Sequence, residues 1–238
     1  MVFNMNNLLE LLRMNPYPGR GIMIGRSSDG SKSIALYFIM GRSVNSRNRM
    51  FEKTEDGIRT KAHDPALMTD PSLVIYHPVR VYDGRTILTN GDQTDTIRDY
   101  LAIGKDFRSA LLTREFEPDA PNYTPRISGL IEPDGSYILS ILKTINGNPN
   151  CCQRGFFEYS AGIPGLGHFI STYEKDGDPL PSFVGEPIPV GIDDSNGLEC
   201  LANLVWDALN DENKVSLYAC EIVLATGNLN ETIINKNH

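Results

Sequence analysis

The stretch GIMIGRSSDGSKSIALYFIM, residues 21–40, decides the fold. Two apolar runs, GIMIG (21–25) and SIALYFIM (33–40), flank the polar segment SSDGSK. Isoleucine and aromatic side chains suit extended backbone, and an Asp-Gly turn returns the chain beside itself. The reading is a β-hairpin. The chain repeats this device further on. LVIYHPVRVY and TIL, within residues 72–89, read as two strands turned at Asp83-Gly84. RISGLI (126–131) and SYILSILK (136–143) flank EPDG as another hairpin, QRGFFEYS and HFISTYEK continue the strands, and VSLYACEIVLA (215–225) is the last.

Three segments carry helical spacing instead. Residues 4–14 place Leu8, Leu11 and Leu12 on one face and end at Asn15-Pro16. Residues 94–112 repeat Ile97, Tyr100, Leu101, Phe107 and Leu111, with Thr94 or Asp95 as cap and Gly104 as a break. Residues 198–209 gather Leu198, Leu201, Leu204, Val205, Ala208 and Leu209 on one side. Hairpins dominate and no βαβ alternation is present. The expected class is α+β, a largely antiparallel sheet system with helices outside. No linker or repeat divides the chain, so residues 1–238 read as one domain. The tail ETIINKNH reads as polar and frayed.

Composition narrows the function. The 238 residues are 40% hydrophobic and 22% charged, enough for a substantial core. No run of about 18 apolar residues suggests a membrane span. The N-terminus lacks the basic and apolar regions of a secretory signal, so the expected location is cytoplasmic. The four cysteines, Cys151, Cys152, Cys200 and Cys220, show no zinc spacing and read as reduced thiols. The histidines are scattered, so no metal site is expected. The net charge of −8 argues against nucleic-acid or anionic-membrane partners. Yet residues 20–53 hold seven basic side chains against Asp29 and Glu52 alone. Such an island suits a small anionic ligand.

G-x-S-x-G and Walker A motifs are absent, and AGIPGLGH (161–168) reads as a loop leading into a strand. Val2 and Phe3 disfavour an N-terminal nucleophile. The informative pieces are polar. RSVNSRNR (42–49) packs three arginines into eight residues, and NGDQTDTI (90–97) runs from a turn into a helix start, where backbone N–H groups attract anions. REFEPDAPNYTPRI (114–127) sets Glu117 on a Pro-rich loop beside Arg126, and Tyr76 and His77 end an apolar run.

Taken together, PGRGIMIG (18–25), GRSVNSRNR (41–49), IYHPVRV (75–81), NGDQTDTI, NYTPRI (122–127) and ISTYE (170–174) resemble the archaeal-type inosine monophosphate (IMP) cyclohydrolase family, in the family's order. The helix at 4–14 is extra to that pattern and the 41–49 loop is longer. The resemblance implies a four-layer αββα sandwich of two mainly antiparallel sheets, similar to N-terminal-nucleophile (Ntn) hydrolases without their nucleophile. It implies closure of the purine ring of a formamido-imidazole carboxamide ribonucleotide, with loss of water and no cofactor. It also implies association into a homo-oligomer of unspecified size. Its catalytic residues would be Glu117 as proton carrier, Tyr76 at the departing oxygen and Arg47 at the carboxamide or oxyanion, with Arg49 the alternative to Arg47. Arg20, Arg42, Arg49, Asn90, Thr94, Asp95 and Arg126 would bind the substrate. The rival expectations are a purine-nucleotide sensor without turnover and an amide hydrolase using Cys151 or Cys152.

Overall fold

The computed structural model describes residues 5–68 and 73–237. The first hairpin forms as expected. β1 (Arg20–Arg26) and β2 (Lys32–Met40) pair antiparallel, from Arg20 opposite Ile39 to Arg26 opposite Ser33. Every residue of β1, and every residue of β2 after Lys32, is buried. The strands therefore have no solvated face, which explains why their sequences are continuous apolar runs and not alternating ones.

Around this pair lies a six-stranded sheet in the order β11-β10-β1-β2-β12-β13. Its other members are β10 (Leu166–Ser171), β11 (Ile188–Gly191), β12 (Lys214–Val223) and β13 (Leu229–Asn235). The second sheet is a seven-stranded meander in chain order. It comprises β3 (Arg49–Thr54), β4 (Gly57–Ala62), β5 (Val79–Tyr82), β6 (Arg85–Thr89), β7 (Arg126–Ile131), β8 (Tyr137–Ile145) and β9 (Asn148–Tyr159). Neighbouring strands within both sheets run antiparallel.

The sheets face one another. Ile22, Ile24, Ala35, Tyr37 and Ile39 of the first sheet pack against Phe51, Ile58, Val79, Leu88, Ile127 and Leu139 of the second. The opposite face of the first sheet, with Met23, Leu36 and Phe38, is covered by α1 (Leu8–Met14) and α5 (Leu198–Ala208). The outer face of the second carries α3 (Gln93–Ala102) and α4 (Phe107–Leu111) on Ile87, Leu130 and Leu142. The layers are thus αββα. A single turn, α2 (Val44–Arg47), lies in the 41–49 segment. No helix among the described residues is long and apolar enough to cross a membrane.

Three local readings change. Residues 73–78 are not strand. Pro78 has no N–H and disfavours pairing, and the segment docks through Tyr76, whose backbone N donates to Thr60 Oγ1 at 2.8 Å and whose carbonyl accepts from Thr60 N at 2.8 Å. The β3–β4 hairpin has no counterpart in the sequence reading. Only Phe51 and Ile58 point into the core, while Glu52 bonds Arg59 and Lys61 across the solvated face. The tail is not frayed through to its end. β13 pairs with β12 from Leu229 opposite Ile222 to Asn235 opposite Ser216, with Ile233 and Ile234 turned to opposite faces.

Candidate active site

One end of the sandwich collects the start of β1, the end of β2, the start of β3, the end of β6 and the start of β7. Arg20 opens β1 on the same face as Ile22 and Ile24, so its side chain enters the space between the sheets. Gly19 makes this possible. Its φ is +79°, and a Cβ there would stand 2.3 Å from Thr172 Oγ1 and 2.5 Å from the Tyr173 ring. Thr172 Oγ1 accepts from Arg20 N at 3.1 Å, fixing the strand's start. The Arg20 guanidinium hydrogen-bonds to no described residue, and its Nε is sealed without a partner.

Arg49 opens β3 and is fully buried. The loop before it is built to hold it. Ser43 and Ser46 form a reciprocal capping box around α2. Ser46 then presents its carbonyl to Arg49 Nε at 2.8 Å, and Met40 O accepts from Nη2 at 3.3 Å. Nη1 is left without a partner. Arg47, by contrast, is exposed and bonds outward to Gly41 O at 2.9 Å and Asn213 Oδ1 at 3.1 Å. Helical direction separates the two arginines, and only Arg49 joins the buried cluster.

Tyr76 is buried with its hydroxyl 2.8 Å from that of Tyr37, a β2 residue whose ring stacks on Phe51. Glu117 is 2% exposed, and its backbone N donates to Thr124 O at 2.9 Å. No described residue hydrogen-bonds its carboxyl. Behind it runs a directed chain. Asp119 accepts from Thr124 N at 2.6 Å and Oγ1 at 2.5 Å, so Thr124 Oγ1 must accept from Tyr173 OH, 2.6 Å away. Tyr173 stacks on Tyr17, and the Arg42 guanidinium lies 4.8 Å over the Tyr17 ring while bonding Asp176 at 2.6 Å. Arg42 therefore sits at the rim.

Burial sets the electrostatics. It pushes the Glu117 carboxyl up to about 7, against the pull of Arg20, Arg126 and Arg49. Burial alone would lower Arg20, but Glu117 and the phenols of Tyr173, Tyr17 and Tyr76 outweigh it and hold it firmly charged. Arg49 is lowered, first by burial and then by Arg20. The same burial lifts Tyr37 well above an ordinary phenol and Tyr173 to about 12. The result is a carboxyl poised near neutrality among fixed cations.

NGDQTDTI plays a different part from direct display. Asn90 is consumed by Pro125 O at 2.8 Å, Ile127 N at 2.8 Å and Gln93 Nε2 at 3.1 Å. Thr94 bonds Thr89 Oγ1 at 2.5 Å and Gly91 O at 3.0 Å. Asp95 bonds Arg80 Nε at 2.5 Å, away from the cluster. The motif's product is the position of Gly91 and Arg126. A Cβ on Gly91 would lie 2.4 Å from Arg126 Nη1 and 3.5 Å from Glu117 Oε1. Asp92 and Gln93 clamp Arg126 Nη1 at 2.7 and 2.6 Å. The structure thus brings together Arg20, Arg49, Tyr76, Glu117 and Arg126, sets Arg42 at the edge, buries Asn90 and Thr94 in support, and leaves Arg47 and Asp95 outside.

Sequence reasoning passed over Tyr17, Tyr37, Thr124 and Tyr173. Tyr173 and Thr124 lie inside ISTYE and NYTPRI, so their signal was present. Tyr37 sits in an apolar run and gave none. Among the described residues no group of His, Cys, Asp and Glu could hold a metal ion. Cys151 is exposed on β9, and burial raises the Cys152 thiol, the opposite of activation.

Comparison with known proteins identifies the family. Residues 17–225 match the model of a family described as IMP cyclohydrolase-like protein. The IMP cyclohydrolase of Methanopyrus kandleri is 37% identical over 183 residues, 70% of this chain and 89% of that protein. That of Halobacterium salinarum is 30% identical over 164 residues, 67% of this chain and 74% of its own. The match to the Methanococcus aeolicus enzyme is 27% over 126 residues, 51% of this chain and 61% of that protein. Helix α1 and strand β13 fall outside the matched segment. With that match spanning most of its length, the chain belongs to the IMP cyclohydrolase-like family.

Proposed function

We propose that this chain is an IMP cyclohydrolase, closing the purine ring of 5-formamidoimidazole-4-carboxamide ribonucleotide with loss of water. The observation that carries the reading is Glu117: a buried carboxyl near pH-neutral pKa, free of hydrogen bonds to described residues, facing Arg20, Arg49 and Arg126. The reaction needs a group that takes a proton from an amide nitrogen and returns it to a departing oxygen. A carboxyl with a pKa near the working pH does both. The attack is intramolecular, so holding the formyl carbon against the carboxamide nitrogen supplies much of the acceleration.

The roles follow from position. Ionised Glu117 accepts the carboxamide proton as nitrogen bonds to the formyl carbon. The oxygen gains charge beside the partnerless N–H groups of Arg49 and Arg20. Tyr76, steadied by Tyr37, gives its proton to that oxygen, Glu117 returns the carboxamide proton as water leaves, and the formamido N–H proton released as the C=N bond forms restores the Tyr76 hydroxyl. Arg126 and Arg42 lie where anionic parts of the nucleotide approach. This sequence uses no metal or organic cofactor. The αββα layering supports an Ntn-hydrolase-like scaffold, one domain formed from both ends of the chain, in a cytoplasmic enzyme of purine biosynthesis.

Incubation with the formylated ribonucleotide, followed by purine ultraviolet absorbance, tests the proposal. Rapid closure above the uncatalysed rate is expected. Tight IMP binding with no turnover would move the chain to a nucleotide sensor.

A further inference from the structure

Of the four buried arginines, Arg20, Arg26, Arg49 and Arg126, two make no side-chain hydrogen bond or ion pair with any described residue. They are Arg20 and Arg26, the first and last residues of β1. Arg20 faces Glu117. Arg26 is 8% exposed and has no such partner. They lie six residue steps apart along the strand, about 20 Å at about 3.3 Å per residue. Arg26 therefore belongs to the opposite end of the sandwich, away from the catalytic cluster.

The chain makes room for this guanidinium twice. A Cβ on Gly135 would stand 2.8 Å from both Nη1 and Nη2, and one on Gly162 would stand 2.8 Å from Nε. Two backbone segments thus lie against the side chain and fix its plane. Gly162 belongs to AGIPGLGH, the glycine-rich run for which the catalytic site has no use. That loop is tied to β1, since Gly165 N donates to the carbonyls of Arg26 at 3.2 Å and Ser27 at 3.1 Å. Beside it, Tyr137 OH lies 2.6 Å from His168 Nδ1, and Tyr159 stacks on His168 at 3.9 Å between centroids. Burial lowers the His168 pKa, so the ring is a neutral hydrogen-bonding group there. The acid in electrostatic reach, Asp134, is held by Ser136 N at 2.8 Å and Oγ at 2.6 Å.

Unlike Arg20 Nε and Arg49 Nη1, no Arg26 nitrogen is sealed from solvent, so its planar donor fork, with no acceptor in hydrogen-bond contact, is open to an incoming oxyanion. We propose that Arg26, cradled by Gly135 and Gly162, is a second anion site that takes a phosphate group, borne by inorganic phosphate or by a phosphate monoester.

The test is thermal unfolding of the whole chain against inorganic phosphate at constant ionic strength, with chloride as the balancing salt. The wild-type midpoint should rise saturably, as binding to the folded state requires. Arg26→Met should weaken that response by roughly tenfold or more, the loss expected for a charge-assisted contact. Because Arg26→Met could impair folding, Gly162→Ala serves as the second variant. Gly162 lacks a positive φ, so alanine fits the backbone there, and its Cβ presses on Arg26. It should weaken phosphate in the same direction. Repeating the titrations with inosine monophosphate separates the sources. A wild-type-to-variant difference with inorganic phosphate assigns free phosphate, and one seen only with the nucleotide assigns a monoester. Wild type and both variants responding alike to both ligands, or no saturable rise in wild type with either, would overturn the site.

Discussion

Glu117 concentrates the chemistry, and its environment makes two expectations measurable. As a base it works ionised, so kcat/KM should climb with pH and level off above about 7. A flat profile from pH 5 to 8 would remove the role. The same shift bears on stability. The folded carboxyl titrates near 7 against an ordinary value of 4.5, so the folded state holds the proton more tightly. Protonation stabilises the fold below 4.5, and that contribution is lost as pH rises through 7. Glu117→Gln should therefore stabilise the fold at pH 8, by up to about 3 kcal/mol, raising the melting midpoint there and leaving it nearly unchanged at pH 4.5. Calorimetry at both values checks this, together with a loss of kcat on the order of a hundredfold. Tyr37→Phe separates orientation from contact. It should lower kcat several-fold with little change in KM, because Tyr37 acts only through the Tyr76 hydroxyl; an unchanged kcat would make the phenol pair purely structural.

Residues of this kind were legible in unequal measure. Glu117, Tyr76, Arg126 and the Arg47/Arg49 pair stood out through polar motifs. Which arginine turns inward is decided by the capped turn of α2, a geometry that no residue pattern announces. Asn90 and Thr94 were singled out as contacts because a helix start offers donors to anions. Their side chains are instead spent on neighbouring backbone and side-chain groups, and the N-cap acid of that helix is Asp92, already engaged by Arg114 and Arg126.

At the scale of elements, β13 carries more than an edge. Asn235 donates from Nδ2 to Phe51 O at 3.0 Å and accepts from Phe51 N at 2.8 Å, joining the first sheet's edge to β3. Glu231 bonds Lys53 at 2.6 Å, and Asn237 bonds Arg47 O at 3.1 Å. The strand thereby fastens the segment that presents Arg49. Asn235→Ala should cost about 1–3 kcal/mol, the penalty for stranding paired backbone groups, and lower the melting midpoint by several degrees. It should also raise KM or lower kcat by loosening β3, whereas an edge strand without that tie would leave kinetics untouched. The tail was misread because its asparagines and lone lysine mask two isoleucines that pack on opposite faces. The β3–β4 hairpin was missed for a related reason: one solvated face leaves only Phe51 and Ile58 as inward signals. The continuous apolar strands of the first sheet, buried on both sides, were the legible ones.

At the scale of the molecule, the two sheets close on apolar side chains along most of their length and on charge at one end. Arg20 from the first sheet, Arg49 and Arg126 from the second, and Glu117 from the loop before β7 meet only because both sheets terminate there. Neither sheet alone holds the site, so hairpin order predicts the class while the meeting of the ends requires the packed sandwich. A crystal structure of the chain with bound inosine monophosphate tests this most directly. The account expects the purine ring between the sheets, with Glu117 and Tyr76 within hydrogen-bond distance of the atoms joined or released in closure and Arg49 facing the same edge. A nucleotide bound elsewhere, with Glu117 and Arg49 untouched, would contradict it.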